Sequence, residues 1–139
     1  MFSVSEASCY TQPMPNDCHS PLPELARLGI ERFNKGEYWL AHEALEDAWN
    51  AEPSPIKEFY RGILQAAVVY HHISKENYRG ALKVYRRSRK WLNPLSEICQ
   101  GVDIARLRAD LDAAIAEVRR LGIDNLAKFD LYPQINYDN

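Results

Sequence analysis

From Pro55 to Ser74 the chain reads as one helix with almost no polar face. Ile63, Leu64, Ala66, Ala67, Val69 and Tyr70 point to every side of it at about 100° per residue. A helix that is apolar nearly all round belongs at the centre of its domain, because each side must be taken out of water. The rest of the chain therefore has to supply elements that surround it.

Those elements also read as helices. Leu22, Leu25, Ala26, Ile30 and Phe33 keep helical spacing to about Asn34, with Ser20 as expected N-cap and Pro21 in the first turn. Asn34-Lys35-Gly36 is a stop and turn. A second helix is expected over about Glu37 to Ala51, and Pro53-Ser54-Pro55 then starts the central one, with Ser54 as cap. Glu76-Asn77 turns the chain into a fourth helix, about Tyr78 to Leu92, which Asn93-Pro94 ends. Asp103 is the expected cap of a fifth helix that runs through Leu121, with Gly122 past its end. Beyond it, Phe129, Leu131, Tyr132 and Ile135 give the tail apolar surface to pack along the domain. Tyr38-x-x-Ala41 and Tyr78-x-x-Ala81 each follow a turn and open a helix, 40 residues apart. This echo predicts two helical hairpins side by side. The expected fold is all-α: a compact helical domain of two stacked helical hairpins plus a C-terminal helix, over residues 21–139. Residues 1–20, with their prolines and serines and few periodic apolar positions, are expected to form a flexible arm.

Charge and cysteine content narrow the setting. A formal net charge of −2 gives no global attraction for nucleic acid or anionic membrane, so any such attraction is local. The longest uncharged run, Gly62 to Ile73, falls short of the ~20 apolar residues of a membrane helix. The N-terminus lacks the basic start and apolar run of a secretory signal. Cys9, Cys18 and Cys99 are odd in number and have no CxxC spacing, so a disulfide is not expected and a reducing, cytoplasmic setting is. Cys9, Cys18 and His19 could hold a metal or sense redox state, but two thiols in an arm more often have no such role.

The functional expectation rests on polar side chains at core positions. Tyr38, His42, Leu45 and Trp49 share one face of the second helix, with Glu46 at its edge and Glu43 further toward solvent. On the central helix Arg61, Gln65, Val68 and His72 form the one polar stripe. Buried polar groups need partners, since each one left without costs about 1–3 kcal/mol. The two stripes are therefore expected to face each other, with Glu46 and Arg61 as charged ends and His42, Gln65 and His72 between them. Such a network predicts that Gln65→Leu destabilises the fold. The same residues in a cleft walled by Tyr38 and Trp49 would instead suit a small polar ligand.

These residues carry a resemblance. Gly36-x-Tyr38-x-x-Ala41-His42-Glu43-x-Leu45-Glu46-x-x-Trp49, then Lys57-x-Phe59-Tyr60-Arg61-Gly62-Ile63-Leu64-Gln65, then His72, Asn77 and Gly80-Ala81, closely resembles the Domain-of-Unknown-Function 309 family over about residues 25–92. The resemblance implies a compact all-helical domain with no established activity. It marks His42, Glu43, Glu46, Trp49, Gln65, His72 and Asn77 as motif positions. The chain departs from the family pattern at Arg61, where glutamine is more usual, at Glu76, where glycine is, and at Lys57, which replaces a common arginine.

Other motifs are weaker. His42-Glu43-Ala44-Leu45-Glu46 lacks the second histidine of a zinc-protease helix, and the paired Glu-x-x-His of a di-iron bundle is missing. A single metal site could draw on His42, Glu46 and His72. Arg79, Lys83, Arg86 and Lys90 form a basic stripe on the fourth helix, with Arg87 beside it. The common meaning is a solvated face, and the alternative is an anion surface. No aromatic residue is interleaved in the stripe, which argues against nucleic acid. The sequence thus points to a binding or scaffold module with a buried His/Glu/Gln pocket, whose partner is an unidentified small ligand or protein. The competing reading is a metal- or small-ligand-dependent enzyme using His42 or His72 with Glu43 or Glu46. Cofactor and oligomeric state are not legible.

Overall fold

The computed structural model describes residues 16–138. Five helices follow in order: α1 (Glu24–Asn34), α2 (Tyr38–Ala51), α3 (Lys57–Ser74), α4 (Tyr78–Leu92) and α5 (Ile104–Leu121). Between α4 and α5 lies a small hairpin, β1 (Ile98–Cys99) and β2 (Val102–Asp103), and a short 3-10 turn covers Leu126–Lys128. Consecutive helices α1 to α4 pack side by side in antiparallel order, and α5 touches α4 more lightly. The all-helical class expected from the sequence holds. None of the described helices is long and apolar enough to cross a membrane.

The echo at 40 residues is a repeated turn. Glu37 N–H donates to Arg32 O at 2.9 Å and Asn77 N–H donates to His72 O at 2.8 Å, each reaching back five residues over a helix end. The residue before each donor is left-handed, Gly36 with φ 79° and Glu76 with φ 57°. Glycine takes this conformation freely, and the departure at Glu76 puts a side chain where it costs more.

Two helix starts differ from expectation. Residues that precede a proline are disfavoured in the α region, so Leu22 stays outside the helix and α1 begins only after an extended Pro23. Ser20 closes a turn with Asp17 instead, accepting from the Asp17 N–H at 2.9 Å. Likewise Ser54 does not cap α3. Its hydroxyl donates to Glu52 at 2.7 Å, and Ser54-Pro55-Ile56 forms a turn ahead of Lys57. Asn77 and Asp103 do cap, accepting from Gly80 N–H at 3.0 Å and Arg106 N–H at 2.9 Å.

The core is continuous from Ile30 and Phe33 through Phe59, Tyr60, Ile63 and Tyr70 to Leu107, Leu111 and Ile115. The tail seals one side of it. Tyr132 stacks on Tyr38 with centroids 5.8 Å apart, and Asn34 bonds both the N–H and the carbonyl of Ile135, at 2.6 and 3.0 Å. The tail also pairs with the hairpin, where Asp103 N–H donates to Asn136 O at 2.9 Å.

One expectation is overturned. Cys18 and Cys99 form a disulfide across a sequence separation of 81, with Cα atoms 4.2 Å apart. The hairpin turn at Gln100-Gly101 makes this approach. Gln100 N–H donates to Cys18 O at 2.7 Å, its side-chain amide donates to Asp17 O at 3.1 Å, and its carbonyl accepts from Tyr60 hydroxyl at 2.9 Å. Spacing along the chain could not reveal a pairing made by tertiary structure. Cys9 lies outside the described residues.

Candidate binding face

On α3 the half-exposed positions are Lys57, Glu58, Arg61, Gln65, Val68, His71 and His72, and of these Glu58, Arg61, Gln65, Val68 and His72 form a row at spacings of three and four residues. This row is the outward face of the central helix, flanked by α2 on one side and α4 on the other. The expected stripe exists, but it is open rather than enclosed.

At the start of α3 the row meets two tryptophans. Trp49 Nε1 donates to one oxygen of Glu58 at 3.1 Å, and Trp91 Nε1 donates to the other at 3.0 Å. The guanidinium of Arg61 lies over both rings, 4.3 Å from the Trp91 centroid and 5.2 Å from that of Trp49. Its nearest carboxylate oxygen, on Glu58, is 3.9 Å away, and among the described residues its N–H groups make no hydrogen bond to protein. Lys57 lies 5.9 Å from the Trp49 centroid and Lys90 5.6 Å from that of Trp91. Sequence reasoning named Trp49 and Arg61 but missed Glu58 and Trp91, because three separate helices supply this cluster. The 3-residue step from Glu58 to Arg61 was the available signal.

At the other end the row meets histidines. His42 stacks on Trp39 with centroids 4.4 Å apart, and His71 approaches the same ring at 5.0 Å. The histidine the fold brings to this stack is thus His71, which the sequence reading passed over. His72 turns to α4, where Asn77 Nδ2 donates to its Nδ1 at 3.2 Å. Asn77 Oδ1 is already committed to the α4 cap, which fixes the amide, so His72 Nδ1 is the acceptor and its proton sits on Nε2. Burial holds His72 below the ordinary histidine pKa. His71 is lowered by burial first, then by the positive charges of His72, Lys75 and His42. Trp39 is 48% exposed, so this end offers a flat aromatic surface to solvent. A hollow of about 290 Å³ adjoins it, lined by Gly36, Trp39, Leu40, His71 and Lys75.

The expected His/Glu/Gln network does not form. His42 Nδ1 is buried without a hydrogen-bond partner. Gln65 is half-exposed and makes no side-chain hydrogen bond among the described residues, and Glu43 and Glu46 are exposed. Among the described residues no three His, Cys, Asp or Glu side chains gather closely enough to hold a metal, so His42, Glu46 and His72 do not make one site. The reason is rotational: the row on α3 looks outward between its neighbours, not across at α2. Tyr38, grouped with the pocket from sequence, faces the sealed side instead, where burial pushes its hydroxyl up to about 12. On α4, Arg79, Lys83, Arg86, Arg87 and Lys90 are all exposed, and among the described residues none pairs with a carboxylate.

The helices that build this face largely coincide with a family match. Residues 26–84 match the family described as Domain of unknown function (DUF309). The resemblance read from the motifs is thereby supported. The DUF309 match spans most of α1, all of α2 and α3, and α4 as far as Val84. It leaves out Trp91, the hairpin, α5 and the tail. The chain is also similar to an uncharacterised protein of Aquifex aeolicus (strain VF5), 26% identical over 93 residues. That alignment takes in 66% of this chain but 28% of the relative. The chain thus matches less than a third of that relative's length.

Proposed function

We propose that this chain is a non-catalytic binding module that takes its partner on the α2–α3–α4 face. The observation that supports it is the outward row of α3. Arg61 and Gln65 present donors that make no hydrogen bond to protein among the described residues, between two tryptophan-bearing ends. A surface whose polar groups are left open beside aromatic rings suits recognition more than internal scaffolding. An enzyme would need a nucleophile, base or metal gathered at one point, and His42, His72, Glu43 and Glu46 are spread over separate surroundings.

The test is native mass spectrometry of gently purified full-length protein, followed by hydrogen exchange with and without the retained species. Protection is expected over the α3 segment from Glu58 to His72, and Gln65→Glu should remove about 90% of the retained species. Protection confined to α5 and the tail, or a bound small molecule released chemically altered, would overturn the reading.

A further inference from the structure

α4 carries Arg79, Lys83, Arg86, Arg87, Arg89 and Lys90 and no carboxylate. Like charges three and four residues apart on a helix repel and cost stability. The chain has 19 acidic residues, yet among the described residues none is placed to neutralise Arg79, Lys83, Arg86, Arg87 or Lys90. A negative chain thus keeps a concentrated positive row. From sequence alone that row lacked aromatic residues. Trp91 continues the row of Lys83 and Arg87 at an interval of four along α4, and the fold adds Arg61 over its ring and, through Glu58, Trp49.

We propose that this surface binds single-stranded nucleic acid. The cations of α4 follow the phosphates, and the Trp49, Arg61 and Trp91 cluster stacks a base. A base can stack on an indole or on the plane of a guanidinium, and both are present. Arg61, whose N–H groups make no hydrogen bond to protein among the described residues, has donors to offer a phosphate or a base edge. Glu58, the carboxylate within the cluster, has one indole N–H on each oxygen, which holds it and lowers its repulsion of phosphate. An acidic peptide would satisfy the cations but would make no use of the rings, so the nucleic acid is favoured. The proposal rests on the binding-module reading and names its partner.

The experiment titrates full-length protein into a fluorescein-labelled oligouridylate over a series of salt concentrations, with a duplex of equal length and polyglutamate as competitors. Affinity should fall with salt at a log–log slope of about −0.7 per phosphate neutralised. Replacing Lys83, Arg87 and Lys90 together with glutamine should weaken binding more than about tenfold and reduce the slope by about 2. Trp91→Leu should weaken binding about 5- to 100-fold with the slope unchanged, and Trp91→Phe should recover part of the loss. Melting curves accompany each variant. If Trp91→Leu fails to fold, the exposed triple variant and Trp91→Phe carry the test. Salt-independent or absent retention, equal affinity for duplex, competition by polyglutamate at equal charge, or variants that bind as wild type would each overturn the proposal. An α3 footprint from another retained partner, with no oligouridylate binding, would remove this proposal and leave the binding module standing.

Discussion

Gln65 shows how a single position can be placed on the right face and given the wrong neighbours. Its spacing from Arg61 and His72 identified the row, but the direction in which that row looks depends on how α2 and α4 settle on either side. With no side-chain hydrogen bond to lose among the described residues, Gln65→Leu is expected to change stability by less than about 0.5 kcal/mol, read from urea midpoints. A loss above about 1 kcal/mol would revive the buried network. His71 and His72 bear on pH. Both are held below the ordinary histidine pKa by burial, so the unfolded chain takes up protons first as pH falls through about 6.5. Their contribution to stability is therefore complete above that pH and declines below it, until the folded-state pKa is passed. The melting temperature should drop between about pH 7.5 and 5.5, and the drop should shrink when both are changed to glutamine. An equal drop in the double variant would assign it to other groups.

Helices were legible because their signals are local. Asp103 caps where expected, the chain turns at Glu76-Asn77, Gly122 lies past the end of α5, and the apolar stripes have the right period. The hairpin was not legible: two-residue strands show no alternation, and the Gln100-Gly101 turn earns its place through Tyr60 and Cys18, both far away in sequence. The Trp49, Glu58, Arg61 and Trp91 cluster was half legible for the same reason. Close helix packing gives a further expectation. A Cβ at Gly29 would stand 2.6 Å from Leu45 Cγ and 3.3 Å from the carbonyl oxygen of Ala41, so α1 and α2 touch nearly backbone to backbone. Gly29→Ala gains up to about 1 kcal/mol in helix propensity but forces these helices apart, at a cost of about 1–3 kcal/mol. A net loss of stability is expected by urea titration, and a more stable variant would show that the contact yields easily.

Across the whole molecule, the Cys18–Cys99 bond and the tail both join distant parts of the chain. The bond closes a span of 81 residues, so reduction or Cys18→Ser should cost about 2–5 kcal/mol, measured as the change in urea midpoint with and without reductant. A change below about 1 kcal/mol would mean that the hydrogen bonds to Gln100 and Glu52 hold residues 16–20 without it. The bond also qualifies the expected compartment, since a reducing cell would keep these thiols apart. The tail has a different consequence, for the order of events in folding. Helices α1 to α4 meet sequence neighbours and can assemble early, whereas Asn34 and Ile135 are 101 residues apart and must wait for the rest of the chain. The tail should therefore be absent from the folding transition state. Asn34→Ala is expected to quicken unfolding while leaving the refolding rate nearly unchanged in a stopped-flow chevron, which would make the last residues to dock the ones that decide how long the native state survives.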